Sequence, residues 1–462
     1  MTRLRAIAAV VWLTTAAGAA AIACNGSRAA AGGAGDGGPA QGIVVGVVDS
    51  LTGGNSGIGI GMSQAIGVAA QQVNRVGILG GVQITFDVRD DTSDPTVSRT
   101  IVQSMLDEGV AGIIGPISSG EVQSVQDLTY AAHVVELTGS ATSIFLSADQ
   151  PTEDRYLFRT APPDALQGDA ITQFLRDGVP LTGADGGDAG TVGGFCQEAF
   201  IVNGLDAYGM SLGNAVLSDF PTASARVLGQ AEVPTTLQTD YGDAASQVVA
   251  AHPQCLVLVV YADVGAAFLR TLQASIAADT GHDWSGFRVC GSDGEYDTNF
   301  ILDGLSDPAN PTSSNSAASC YGTAPDTAPS TPAFATFRDI WRQSYPTTDP
   351  PPYAANQYDA TLLLALAIAK AGTASDGQAI RDALIDVANP PGTVYGPGEF
   401  VDALDALARG EEIDYDGASG DCDFDPSGDV RADYIVWQVV KQQADAGYVF
   451  ETLGELNAND LH

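Results

Sequence analysis

Residues 42–73 read GIVVGVVDSLTGGNSGIGIGMSQAIGVAAQQV, and the change of pattern within that stretch decides the fold. GIVVGVVDS (42–50) is an unbroken apolar run, as expected of a strand buried on both faces rather than wetted on one. From Met62 to Val73 the pattern changes, with Ile66, Ala69, Ala70 and Val73 recurring at helical spacing. VQITFDVRDD (82–91) then alternates Val, Ile, Phe and Val with Gln, Thr, Asp and Arg, a strand pattern. Pro95 opens a second helix carrying Ile101, Met105 and Leu106. AGIIGP (111–116), the helical stretch Val122–Ala132 and HVVEL (133–137) continue the alternation. This β-α-β-α order predicts a parallel sheet covered on both sides.

The pattern then restarts. AFIVNG (199–204), VLGQAEV (227–233), CLVLVVY (255–261) and FRVCGSDG (287–294) read as strands, with helical stretches at Leu212–Leu217, Ala244–Ala251 and Gly265–Ala277. FRTAPPDALQG (158–168) and a Gly/Asp-rich loop at 182–195 separate the two units. Proline-rich stretches at 324–332, 346–352 and 390–397 punctuate the remainder, which holds helices Gln357–Ala371 and Gly377–Val387. A β ending, IDYDGASGDCDFDPSGDVRADYIVWQVV, closes the chain. Helices and strands that follow the second unit imply that each lobe borrows segments from both halves of the sequence. The fold class expected is α/β, with two doubly wound parallel-sheet lobes.

The chain has 462 residues, of which 45% are hydrophobic and 16% charged, enough apolar material for two or three domains. Its formal net charge of −37 repels nucleic acid and anionic lipid surfaces, so no nucleic-acid partner is expected. The plain reading of that charge is solubility. Lysine occurs only at Lys370 and Lys441.

The first residues read as a targeting segment. Arg3 and Arg5 precede the apolar run Ala6–Leu13, and the block ends AAIAC. A retained membrane span is the competing reading, weakened by Thr14, Thr15 and Gly18 within the run. Ala21–Ile22–Ala23–Cys24 resembles a lipobox, which would make Cys24 a diacylated first residue of a membrane-anchored lipoprotein, periplasmic or on the cell surface. The same residues also satisfy an ordinary A-x-A cut. Residues 25–41 are rich in Gly and Ala and read as a flexible tether.

Catalytic signals are poor. GIGIGM (57–62) lacks the glycine spacing of a dinucleotide loop, and no G-x-S-x-G elbow exists. The four histidines (133, 252, 282 and 462) form no triad or metal spacing, and no C-x-x-C occurs. No enzyme activity, cofactor or metal is expected. Besides Cys24 there are five cysteines, an odd number that leaves at least one without an intrachain partner.

Binding chemistry is better marked. LTGSATS (137–143) ends a strand by stripping it to glycine, alanine and hydroxyls. Ligands of open α/β sheets sit beyond the carboxyl ends of strands, where backbone N–H groups and helix N-termini favour anions. Gly139, Ser140, Ala141 and Thr142 leave such donors uncovered, and ISSGEV brings Ser118 and Ser119 one strand earlier. Together they suit the α-carboxylate of a small ligand, although the same residues also serve as plain helix caps.

In order along the chain, DSLTGGNSGIGIGMSQAIGVAAQQVN, RDDTSDP, GIIGPISSGEV, LTGSATS, FRTAPPDALQG, DAYGMSLGNA, GSDG and YDGASGDCDFDPSGDV resemble the blocks of the type I periplasmic binding proteins, in the Leu/Ile/Val-binding branch. The resemblance runs from about residue 42 to about 445. It implies two lobes joined by three crossovers, near Thr160–Pro163, Thr323–Pro332 and Ile413–Gly417. The lobes then comprise 42–160 with 330–412 and 163–325 with 416–455, after a leader at 1–24. It also implies first-lobe ligand contacts at Ser119, Ser140, Ala141 and Thr142 and second-lobe aromatics at Tyr208 and Tyr261. Asp293 falls where the family carries an acid for a ligand ammonium, and Ile58 where it often carries an aromatic. As bare residues, Asp293 is also a turn former in S-D-G and the tyrosines are also packing residues. Strand neighbours in such a fold imply disulfides Cys196–Cys255 and Cys290–Cys320, leaving Cys422 over.

The function implied is capture of a small amino acid, branched-chain or related, between closing lobes of a monomer, for delivery to an ABC permease. A sensory receptor subunit of the same fold, or a binder of an amide, urea or carboxylate, stays open as the alternative.

Overall fold

The computed structural model describes residues 42–182, 188–310, 313–442 and 447–461. The leader, the tether and the Cys24 lipidation expectation lie outside them. Among the described residues no helix is long and apolar enough to cross a membrane.

The first lobe begins with β1 (Ile43–Asp49), α1 (Ser56–Val76), β2 (Ile84–Asp90), α2 (Pro95–Glu108), β3 (Ile113–Ile114), α3 (Ser119–Ala132), β4 (Glu136–Thr138), α4 (Ile144–Ala148) and β5 (Leu157–Arg159). Its sheet is parallel throughout, in the order β2-β1-β3-β4-β5. Six of the seven residues of β1 are buried, which is why its sequence is an unbroken apolar run. Local chemistry fixes the helix ends. Asp94 caps α2 by accepting from the Thr96 amide, and Gly109 ends it in the left-handed region. Ser118 and Glu121 form a capping box at the start of α3.

The chain then crosses to the second lobe through α5 (Asp164–Thr172), β6 (Val179–Thr182) and β7 (Asp188–Val192). There follow β8 (Glu198–Gly204), α6 (Ala207–Asp219), β9 (Arg226–Val233), α7 (Gly242–Ala251), β10 (Cys255–Val259), α8 (Ala262–Ala278), β11 (Arg288–Gly291), α9 (Thr298–Gly304) and β12 (Tyr321–Pro325). It returns to the first lobe with α10 (Pro332–Ser344), α11 (Ala354–Ala371), α12 (Gly377–Ala388), β13 (Thr393–Tyr395), α13 (Phe400–Ala408), β14 (Ile413–Gly417) and β15 (Gly420–Asp421). It finishes in the second lobe with β16 (Tyr434–Lys441) and β17 (Tyr448–Leu456). The second sheet runs β17-β16-β12-β11-β10-β8-β9; β16 is antiparallel to both its neighbours, β12 and β17, and the other pairs are parallel.

The position of α11 explains its composition. It lies in the first lobe's core between α1 and α12, and every residue from Leu362 to Ile368 is buried. The second sheet has an apolar core on each face, one around Phe268 and Trp437 and the other around Phe174 and Val216.

Three sequence expectations need correction. The third crossover does not fall at Ile413–Gly417. That strand pairs with β13, and Ile413, Tyr415, Phe424 and Val430 all pack in the first lobe's core. The chain enters the second lobe's core only at Tyr434. The loop read at 182–195 contains β7, which pairs with β6. Finally, Cys196 and Cys255 are joined by a disulfide, but Cys290 and Cys320 are separate, buried thiols. Their strands are neighbours, yet Cys290 pairs with Tyr321 rather than Cys320. Side chains alternate along a strand, so the two sulfurs enter the cores on opposite faces of the sheet. Cys422 is a third buried free thiol.

Candidate ligand cleft

The carboxyl ends of both parallel sheets face one cleft. From the first lobe come the loop after β3, with Ile117 and Ser118, and the loop after β4, with Ser140. From the second come Tyr208 at the start of α6, Tyr261 after β10, and Asp293 and Gly294 after β11. Ile58 of α1 and Tyr353, which precedes α11, complete the inner wall with Asn55 and Ser119. The inner cavity measures about 30 Å³. Outside it a groove of about 510 Å³ carries Asp94, Ser118 and Glu121 from one lobe and Asp206, Thr235 and Asp263 from the other.

The first-lobe wall is braced rather than open. Ser119 Oγ accepts from the amides of Thr142 (3.2 Å) and Ser143 (3.1 Å). Ser140 Oγ donates to the Ile117 carbonyl at 2.7 Å. Behind the loop, the fully buried Arg159 donates to the carbonyls of Ala141 (3.2 Å) and Ser143 (2.8 Å). Its Nε also donates to Asp429 Oδ1 at 2.6 Å. Gly139 is required here by a close approach, since a Cβ would lie 2.4 Å from Gln357 Oε1 and 2.9 Å from the Gln357 amide nitrogen.

In the second-lobe wall, Asp293 is 5% exposed. Tyr208 Oη donates to its Oδ1 and Tyr353 Oη to its Oδ2, both at 2.6 Å. The Tyr208 hydroxyl also accepts from the Gly294 amide at 3.0 Å. Tyr208 and Tyr261 stack with ring centroids 5.3 Å apart. Glu295, fully buried, holds the turn beneath by accepting from the Ser292 amide (2.7 Å) and the Val260 amide (3.1 Å).

Burial dominates the electrostatics. It pushes the Asp293 carboxyl above its ordinary range, and the hydrogen bonds from Tyr208 and Tyr353 oppose it. Burial and then the charge of Asp293 raise Asp164, at the start of α5, to about 7. Burial likewise raises Glu295 to about 8. Among the described residues lining the cavity and the groove there are five carboxylates and no Lys, Arg or His. Such a cleft favours a ligand that carries a positive group. No group of three or more His, Cys, Asp or Glu among the described residues is placed to hold a metal ion.

Of the residues singled out from sequence, Ile58, Ser118, Ser119, Ser140, Tyr208, Tyr261 and Asp293 line this one cavity. Two others do not. Ala141 packs inward against Val122, Leu146 and Leu157, and the Thr142 amide is taken by Ser119 Oγ. The loop therefore does not leave its donors uncovered as the sequence reading expected. Tyr353 and Arg159 escaped that reading. Tyr353 follows three prolines, an environment that marks a turn but says nothing of what the ring faces. Arg159 stands in FRTAPP, where its charge gave no sign of burial.

Residues 42–443 match the model of the periplasmic binding protein family. Among curated proteins, the chemotactic signal transduction system substrate-binding protein BasB of Halobacterium salinarum is 24% identical over 83% of this chain and 82% of its own length. The Leu/Ile/Val-binding protein BraC3 of Rhizobium johnstonii is 22% identical over 74% of this chain and 83% of its own. A match to the uncharacterized protein MJ1266 of Methanocaldococcus jannaschii, at 28% identity, spans only 33% of that protein. The leucine-binding protein LivK of Thermotoga maritima superimposes with a TM-score of 0.67 at 20% identity, covering 91% of this chain and all of that one. A Rhodopseudomonas palustris solute-binding protein in complex with 3,4-dihydroxybenzoic acid gives 0.65 at 17% identity, covering 90% of this chain and 97% of that one.

Proposed function

Because the chain belongs to the periplasmic binding protein family, whose type I members are solute-binding proteins and not enzymes, we propose that it captures a small α-amino acid between its lobes and delivers it to an ABC permease. The observation that carries this reading is Asp293, a buried carboxylate in a cleft that no cationic side chain lines among the described residues, facing the Ser119 and Ser140 loops. A ligand ammonium supplies the missing counter-charge, and a charge-assisted hydrogen bond to a buried carboxylate is strong. The ligand carboxylate then lies toward the Ser118–Ser119 start of α3, where the helix dipole favours it. Closure follows from a ligand that touches both lobes and so binds the shut form better than the open one.

A second reading has support from BasB, whose name places it in chemotactic signalling. On that reading the closed shape is presented to a receptor rather than a permease. Ligand identity is a separate question, since the fold also carries a benzoate-type ligand in the Rhodopseudomonas palustris protein. The cleft argues against such a ligand, because an acid without an amine leaves Asp293 no partner of opposite charge.

The test is a thermal-shift screen with L-amino acids, their deaminated counterparts, 3,4-dihydroxybenzoate, urea and small amides. An amino acid should raise the melting temperature by mass action where its deaminated counterpart does not. Equal shifts from the two would refute the ammonium assignment. Export and diacylation at Cys24 belong to the same proposal. Mass spectrometry of membrane-extracted protein should find the lipid on that cysteine, and an unmodified N-terminus would refute it.

A further inference from the structure

The Tyr353–Asp293 hydrogen bond joins the two lobes. The Tyr353 ring is fixed to the first lobe, packed with Met62, Ile117 and Ala161. Its backbone has φ 62° and ψ −1°, the left-handed region that residues other than glycine seldom enter. Its carbonyl accepts from the Gln357 amide at 3.0 Å, tying it to α11. Asp293 belongs to the second lobe, in the turn that follows β11. A ring held this way cannot swing off the carboxylate by itself, so the bond breaks only when the lobes part. With it in place the cavity of about 30 Å³ has room for a water or two and not for an amino acid.

We propose that Tyr353 is a positioning residue that competes with the ligand for Asp293: its phenol takes Oδ2 and holds the lobes shut, and a ligand enters when the lobes separate and its own donor takes over that oxygen. The competition is uneven in the ligand's favour. A phenol is a neutral donor, whereas an ammonium brings a full charge to the same carboxylate. The bond thus sets how much of the protein stands closed before ligand arrives. Apparent affinity falls in proportion to that closed fraction, because only the open form admits ligand. Other interlobe bonds are between neutral groups: the Ile144 amide donates to Ser211 Oγ at 2.9 Å away from the cavity wall, and Tyr261 and Ser118 share a hydrogen bond across it. The ligand half of this proposal rests on the amino-acid reading above, and the conformational half does not.

Tyr353→Phe keeps the ring and its packing and removes only the hydroxyl. In full-length protein without added amino acid, small-angle scattering should show a larger radius of gyration for this variant than for the parent. Asp293→Ala, which breaks the same bond from the other lobe, should open the protein to the same degree. Circular dichroism checks that both variants are folded. With L-leucine or the best amino acid of the screen as probe, stopped-flow association for Tyr353→Phe should be faster and the dissociation constant lower by about tenfold, the size expected for one hydrogen bond to a charged group. Scattering profiles of folded variant and parent that coincide would overturn the proposal. So would an opened variant that binds the probe no faster and no tighter. If no amino acid binds the parent, the ligand reading fails while the scattering still decides whether the bond holds the lobes.

Discussion

Asp293→Asn tests the chemistry of the cleft with the least disturbance of its shape. The substitution keeps the side-chain volume and removes the charge; one phenol still donates to the remaining oxygen, and the other must turn its hydroxyl to accept from the new amide group. Asp293 is 5% exposed and, among the described residues, no cationic side chain lines its cavity. A ligand ammonium would therefore be its one close partner of opposite charge. Removing one member of a buried ion pair costs about 3–5 kcal/mol, because the other is left without compensation. Even the lower figure corresponds to a rise of more than a hundredfold in Kd. The assay is isothermal titration calorimetry at pH 7 with the amino acid that gives the largest thermal shift. Stability should move the other way or not at all, since burial already disfavours the charged carboxyl in the folded protein. A variant that melts no lower than the parent and binds at least a hundredfold more weakly meets the expectation. A Kd within about threefold of the parent would show that the carboxylate is not the counter-charge for the ligand.

Three further outcomes follow from the geometry. Glu136, fully buried in β4, is raised by burial from its ordinary 4.5 to about 8. Between those values the folded protein holds a proton that the unfolded chain gives up, so this stabilising contribution is complete below pH 4.5 and is lost as pH rises through 8. Glu136→Gln should therefore gain on the parent in urea unfolding as pH rises from 5 to 8, by at most about 4 kcal/mol; a difference independent of pH would refute it. Gly139→Ala pushes a methyl into the backbone and side chain of Gln357 and should cost about 1–3 kcal/mol, read as a lower urea midpoint; an unchanged midpoint would show that the loop and α11 yield freely. Cys255→Ala opens a bridge spanning 59 residues and should cost about 2–4 kcal/mol, with dithiothreitol lowering the urea midpoint of the parent but not of the variant; a parent midpoint unmoved by reductant, with the bridge shown to be reduced, would refute the contribution.

The parallel strands were legible because strands covered on both faces must be apolar at every position. β1 and β10 carry that signature, and their burial is nearly complete. The strand ends were legible for the converse reason, since a cleft wall has to give up large side chains, as at Ser118 and Ser140. What stayed hidden depends on which segment meets which. IDYDG reads as a strand in either lobe, and only its pairing with β13 assigns it to the first. Cys290 lies near the end of β11 and Cys320 just before the neighbouring β12, but a register offset of one residue turns their sulfurs to opposite faces. The LTGSATS amides looked free in sequence, whereas Ser119 arrives from more than twenty residues away to occupy two of them, those of Thr142 and Ser143. Tyr353 lies 60 residues beyond the Asp293 it meets, with nothing nearby in sequence to announce the contact.

The late place of α11 in the chain has a consequence for biosynthesis. This helix packs against α1 and against β3 and β4, yet it is translated only after the strands from β8 to β12. Until Ala354–Ala371 leaves the ribosome, the N-terminal sheet lacks part of its cover and that segment is kept from settling into its final form. On the proposed export, which threads the polypeptide through a secretion pore before it coils up, such a delay is an advantage, because the order of its segments holds open the time in which translocation can occur.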